Sequence, residues 1–236
     1  MQEAFFLLVL YHLKILTKEL MKKIISPSLL AADFGNLKGA CEMINASEAE
    51  WFHIDVMDGT FVPNISFGFP VLEAITKHCT KLIDVHLMIV HPEKYVKRFA
   101  DAGAGMITFH YETAENPQEI IDLIRAEGVK VGITINPDVD VSVLEPWVDK
   151  VDMVLLMSVF AGYGGQKFIE ETYDRVAQLK SYIDAKNPEC LIQIDGGVNV
   201  QNAQKLFDAG VSVLVAGSAV FNAEDPIQMI HQMLNS

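Results

Sequence analysis

Three short segments of this chain place polar, ionisable residues at alternate positions: His53-Ile54-Asp55-Val56-Met57, Asp84-Val85-His86-Leu87-Met88 and Gln193-Ile194-Asp195-Gly196-Gly197. In an extended strand, alternate side chains share a face. His53, Asp55 and Met57 therefore lie opposite Ile54 and Val56, and Asp84, His86 and Met88 lie opposite Val85 and Leu87. A buried carboxylate beside an imidazole is costly unless it is paired or metal-bound. Two neutral imidazoles and two carboxylates drawn from three strands suit one divalent ion, Zn2+, Fe2+, Mn2+ or Co2+. A buried ion-pair network without metal is the alternative. An ion so held would bind a carbonyl and an adjacent hydroxyl oxygen and stabilise an enediolate. One carboxylate would remove the proton α to the carbonyl, and another would return a proton to the opposite face. The expected outcome is inversion at one carbon, with no organic cofactor.

Glycine supplies a second signal. Ala161-Gly162-Tyr163-Gly164-Gly165-Gln166 follows the sixth strand candidate, Gly196-Gly197 the seventh and Gly217-Ser218 the eighth. Glycine lets the backbone approach a ligand closely, and backbone N–H groups at a helix start hold anions. The expectation is a phosphate site that needs little side-chain charge. Methionines at strand ends (Met57, Met88, Met157) offer apolar, polarizable walls with no proton to exchange.

The elements that must position these groups follow a regular rhythm. β-rich runs at 23–30, 51–57, 81–88, 106–110, 130–135, 153–158, 191–195 and 213–216 alternate with amphipathic stretches at 92–102, 117–127, 170–185, 200–209 and 226–234. Several of the latter start with Pro in the first turn, where its missing N–H costs nothing. Strands alternating with helices imply right-handed βαβ units and a parallel sheet. Eight units of about 26 residues predict an α/β fold, a single-domain (β/α)8 TIM barrel whose chemistry sits at the carboxyl ends of the strands. An open doubly wound sheet is the alternative, weakened because no GxGxxG follows the first strand.

Composition narrows the class of function. Half of the 236 residues are apolar, 21% are charged, and the formal net charge is −13. A chain so acidic, with no basic block, is a poor partner for nucleic acid or an anionic membrane. Cys41, Cys79 and Cys190 are far apart with no CxxC spacing. They are expected to be buried thiols in a reducing, cytoplasmic compartment. Residues 1–20 contain an apolar run, Ala4–Leu10, but no basic leading segment and no A-x-A site. They are expected to be a dispensable extension, with Met21 the functional start and 21–236 the barrel; a short docked helix is the alternative.

Taken together, SPSLLAADF at 26–34, HIDVMDGTFVPN at 53–64, DVHLM at 84–88, GYGGQ at 162–166 and DGGV at 195–198 resemble the ribulose-phosphate 3-epimerase family, over about residues 21–234 in order and spacing. The resemblance implies a barrel enzyme of the pentose phosphate pathway that interconverts D-ribulose 5-phosphate and D-xylulose 5-phosphate. It implies His53, Asp55, His86 and Asp195 as ligands of one metal ion per subunit, Asp55 as proton acceptor and Asp195 as proton donor. It also implies that Ser28, His86 and Asp195 touch the substrate, and that Gly162, Tyr163, Gly164, Gly165, Gly196, Gly197, Gly217 and Ser218 surround its phosphate end. Met57, Met88 and Met157 would line the pocket. A homo-oligomer, dimer or hexamer, is implied as well.

One segment departs from the family pattern. Met157-Ser158-Val159-Phe160-Ala161-Gly162-Tyr163 stands where Met-Ser-Val-Asn-Pro-Gly-Phe is usual. Loss of that proline frees a φ angle and is expected to loosen the loop without removing chemistry. Two other functions compete: 3-epimerisation of a hexulose 6-phosphate such as allulose 6-phosphate, and phosphate binding without catalysis. Gly164-Gly165 favours the pentulose enzyme. His110 and Glu112 are candidates for lining the mouth or for supporting contacts, and Asp58 for a turn. His12, His78, His91 and His231 are expected to be solvated, and Trp51 and Trp147 to pack.

Overall fold

The computed structural model describes residues 22–236; the expectations for residues 1–20 and His12 lie outside them. Eight strands run parallel: β1 Ile24–Pro27, β2 Trp51–Met57, β3 Leu82–Met88, β4 Met106–His110, β5 Lys130–Ile135, β6 Met153–Met157, β7 Leu191–Asp195 and β8 Val213–Ala216. The sheet order is β1-β8-β7-β6-β5-β4-β3-β2, and a parallel bridge between Ser28 and His53 joins its two ends. That bridge closes the barrel and removes the open-sheet alternative.

Helices cover the outside: α1 Leu37–Ala46, α2 Phe69–Thr76, α3 Val96–Asp101, α4 Pro117–Ala126, α5 Thr172–Lys186, α6 Val200–Asp208, α7 Ser218–Phe221 and α8 Pro226–Leu234. Two predicted elements differ. The first strand stops at Pro27, because the Ser28 hydroxyl accepts the Leu30 N–H and starts a 3-10 turn. The stretch 92–102 splits into a 3-10 turn, Pro92–Lys94, and α3. Between β5 and β6, where no amphipathic stretch is predicted, the connection holds a 3-10 turn, Val141–Leu144.

Two apolar layers hold the barrel. Outward-facing strand residues such as Ile54, Val56, Val85, Leu87, Ile107 and Phe109 pack with the helices in one buried cluster. Inside, Ile24, Trp51, Met106, Met153 and Val213 plug the amino end. Above that plug the interior turns polar, with Ser26, His53, Asp84, Thr108 and Gln193 all fully buried. Gly132 belongs to this level: a Cβ there would lie 2.1 Å from Thr108 Oγ1. Cys41 and Cys190 are buried free thiols as expected, while Cys79 is only half-buried. No helix among the described residues is long and apolar enough to cross a membrane.

Candidate active site

The carboxyl ends of the strands open into a cavity of about 1070 Å³. Ser28, Asp55, Met57, Met88, Met157 and Asp195 line its floor and walls; Gly162, Tyr163, Gly164, Gly165, Gly196, Gly197, Gly217 and Ser218 line its rim. His53 and His86 are fully buried and do not line it. Their place is among the donor atoms beneath the cavity.

One donor atom from each of His53, Asp55, His86 and Asp195 lies within 4.8 Å of the other three. The β2–β3 register makes this possible, pairing His53 with Asp84 and Asp55 with His86. The two imidazoles offer different nitrogens. His53 Nε2 faces Asp55 Oδ1 at 3.3 Å and Asp195 Oδ2 at 3.9 Å. His86 Nδ1 faces the same two carboxylates at 3.2 and 3.8 Å. His53 Nε2 is buried with no hydrogen-bond partner among the described residues. An orphaned imidazole nitrogen among carboxylates is what a divalent cation would satisfy, and the N2O2 donor set fits such an ion.

The backs of these groups are held as firmly as their fronts. His53 Nδ1 lies 2.7 Å from Asp84 Oδ2, which also accepts from Gln193 Nε2 at 2.6 Å and Ser26 Oγ at 3.4 Å. Asp84 therefore keeps the His53 proton on Nδ1 and leaves Nε2 open. The sequence reading placed Asp84 on the inner face but gave it no role; its only signal was the DVHLM alternation. Ser28 Oγ donates to Asp55 Oδ2 at 2.6 Å. His86 Nε2 meets His110 Nε2 at 2.9 Å, which puts His110 behind the site and not at the mouth.

Electrostatics separate the two carboxylates. Burial opposes the charge of Asp55, but the His53 and His86 rings outweigh it and hold the carboxyl well below its usual range. Asp195 has weaker support: burial and the neighbouring Asp55 charge outweigh the pull of His53 and push it up to about 7. Burial also opposes a charged His53, yet Asp55 and Asp84 hold its imidazole well above the ordinary value. The cluster thus attracts positive charge, which a proton or a metal ion can supply.

At the rim, Gly197 has φ +64, and a Cβ there would lie 2.4 Å from the Phe168 backbone nitrogen, so only glycine fits. The glycine loop after β6 is tied down by side chains that the sequence reading passed over. Asn64 Nδ2 donates to Gly162 O at 3.1 Å, and the Ala161 N–H donates to Asn136 Oδ1 at 3.0 Å. Gln166 Nε2 donates to Phe160 O and Tyr163 O at 2.7 and 2.9 Å. The Ala161 anchor needs an N–H that proline lacks, so the departure from the family pattern adds a tether where loosening was expected. Lys167, Lys205 and Asn202 also line the cavity and were not foreseen as site residues.

Among known proteins, the ribulose-phosphate 3-epimerase of Schizosaccharomyces pombe is 41% identical over 215 residues, covering 90% of this chain and 92% of that one. The ribulose-phosphate 3-epimerase of Bacillus subtilis is 41% identical over 213 residues, covering 90% and 98%. The crystal structure of 3-hexulose-6-phosphate synthase from Salmonella typhimurium superposes with a TM-score of 0.67 at 18% identity, covering 90% and 97%, a likeness of fold alone. The sequence model of the "Ribulose-phosphate 3 epimerase family" matches residues 24–221, a span that runs from β1 to the end of α7 and holds all four donor residues. A match of that extent, carrying the donor cluster with it, makes this chain a member of the ribulose-phosphate 3-epimerase family.

Proposed function

We propose that this protein is a metal-dependent 3-epimerase that interconverts D-ribulose 5-phosphate and D-xylulose 5-phosphate. The observation that carries the proposal is the pair Asp55 and Asp195. They share one donor cluster at the cavity floor, arrive from different strands, and are driven to opposite proton affinities. Two titratable groups pushed apart in this way are suited to base and acid roles.

His53, Asp55, His86 and Asp195 would hold the cation, whose Lewis acidity stabilises negative charge on the substrate oxygens. Asp55, kept ionised, accepts the C3 proton. Asp195 delivers a proton to the other face of the planar anion that is left. The Ser28 hydroxyl on Asp55 Oδ2 orients the accepting carboxylate. Met57, Met88 and Met157 exclude water without offering a competing proton. The phosphate end is assigned to the glycine rim, Gly162–Gly165, Gly196, Gly197, Gly217 and Ser218. A dimer or hexamer in solution belongs to the same proposal and rests on the family resemblance; a cytoplasmic location rests on the unpaired cysteines, and Zn2+, Fe2+, Mn2+ and Co2+ all suit the donor set.

Asp195→Asn is expected to lower kcat by about 10²–10⁴-fold, the range of a positioned general acid, with the circular dichroism of the barrel unchanged. In D2O the wild type should place solvent deuterium at C3 of D-ribulose 5-phosphate as it epimerises. Near-normal turnover by the variant would remove Asp195 from the mechanism. Equal or better turnover of allulose 6-phosphate by the wild type would move the substrate to the hexulose class.

A further inference from the structure

We propose that Glu112, acting through His110, sets which nitrogen of His86 carries the proton, and so keeps His86 Nδ1 open toward the donor cluster. The inference rests on the metal-site reading above. His86 Nε2 and His110 Nε2 are 2.9 Å apart, with ring planes 23° from parallel and both rings fully buried. At that distance one nitrogen donates and the other accepts, and a neutral imidazole has a single N–H.

Two arrangements satisfy the pair. In the first, His86 donates from Nε2, its Nδ1 lone pair faces the cluster, and His110 keeps its proton on Nδ1. In the second, His110 donates from Nε2, and the His86 proton sits on Nδ1, where it blocks ligation. Asp55 Oδ1, 3.2 Å from His86 Nδ1, pulls toward the second. Glu112 pulls toward the first. Its Oε2 lies 3.5 Å from His110 Nδ1, and an ionised carboxylate only accepts. That contact is of ion-pair length; His110 Nδ1 is buried with no hydrogen-bond partner among the described residues, so the Glu112 charge is what draws its proton.

Glu112 is itself held in place. Its Oε1 accepts the Asn136 backbone N–H at 2.8 Å and Asn136 Nδ2 at 2.9 Å, which leaves Oε2 for the ring. The Phe61 ring packs on His110 with centroids 4.6 Å apart and shields it from solvent. His53 is served directly by Asp84; His86 is served at one remove, with a second imidazole as relay. His110 and Glu112 are positioning residues, since neither lines the cavity nor belongs to the donor cluster.

Glu112→Gln separates this role from simple packing. The two Asn136 donors hold an oxygen in the Oε1 position, so the amide nitrogen falls beside His110 Nδ1 and favours the second arrangement. Zn2+ affinity, measured in competition with a chromophoric chelator, should fall about 10–100-fold. Glu112→Ala, which favours neither arrangement, should bind Zn2+ with an affinity between wild type and Glu112→Gln. Packing alone predicts the reverse order, because Ala loses the side chain and its Asn136 bonds while Gln keeps both. In the metal-free proteins, 15N spectra of labelled histidine should show His86 shifted toward the Nδ1–H tautomer in Glu112→Gln. Unchanged Zn2+ affinity in that variant, Ala binding no better than Gln, or an unmoved His86 tautomer would each overturn the relay. A wild type that takes up no Zn2+ would instead count against the metal reading, and the tautomer comparison would still decide the relay.

Discussion

At the residue scale, the protein uses chemically identical side chains for different ends by changing what lies behind them. His53 and His86 turn opposite nitrogens to one cluster because Asp84 stands behind the first and His110 behind the second. Asp55 and Asp195 differ because two imidazoles flank one, and burial beside a like charge governs the other. Asp58, one residue beyond β2, holds a turn. Its Oδ1 accepts the N–H groups of Thr60 and Phe61 at 2.7 and 2.9 Å, and its Oδ2 accepts that of Val90 at 2.8 Å, tying the ends of β2 and β3 together. Burial works against its charge, but these three donors outweigh it and hold the carboxyl below its ordinary value. A depressed folded-state pKa adds stability above the unfolded value of about 3.9, and that stability is lost as pH falls through the folded value. Asp58→Asn turns an amide toward one of the donors and should cost about 1–3 kcal/mol at pH 7. The gap between wild-type and variant urea midpoints should be wide at pH 6 and narrow as pH falls below about 4. A gap that stays constant with pH would show that the Asp58 charge contributes nothing.

At the element scale, the loop after β6, residues 158–171, is a tethered strap over the cavity. Arg175 on α5 donates to Met157 O and Asn136 O, both at 2.9 Å, and so rivets the ends of β5 and β6. Beyond the rivet, Asn64 and Asn136 grip the strap from two neighbouring loops, while Phe160 and Tyr163 project half-exposed. Asn64→Ala removes one grip without touching the donor cluster. A part-buried hydrogen bond worth about 1 kcal/mol predicts KM higher by about fivefold, with kcat within about twofold. Amide exchange over residues 160–166 should quicken in the same variant; an unchanged KM would show that the strap does not shape substrate binding. The strands themselves were legible in the sequence because alternation in His53–Met57 and Asp84–Met88 is a local property with period two. The grips were not legible. Asn64 and Gly162 are 98 residues apart, and their meeting depends on where two loops land. Gln193 reaches Asp84 across the barrel interior, 109 residues away, for the same reason. The connection between β5 and β6 carries no helical signal, because a single 3-10 turn leaves too few residues for a helical period to show.

At the scale of the whole molecule, described contacts anchor the amino end of the barrel from Lys22 onward. Lys22 pairs with Glu50. Lys23 Nζ donates to Gln204 Oε1 at 3.2 Å and to Leu234 O at 3.3 Å, and the Ile24 N–H donates to Ser212 O at 2.9 Å. Among the described residues, Ile24, Trp51, Met106, Met153 and Val213 form the plug at the base. Electrostatics gives no reason to retain residues 1–20 either, because Glu3 and Glu19 offset Lys14 and Lys18, which leaves the net charge at −13 without them. A chain beginning at Met21 should therefore fold and turn over substrate like the full-length protein. In a domain of this size each kcal/mol of lost stability lowers Tm by about 2–4 °C, so the truncated protein should melt within about 2 °C of the intact one. A drop of more than about 5 °C would mean that the first twenty residues bury surface against the barrel worth more than about 1 kcal/mol. An unchanged Tm with a lowered kcat/KM would give them a part in substrate binding that the described contacts do not require.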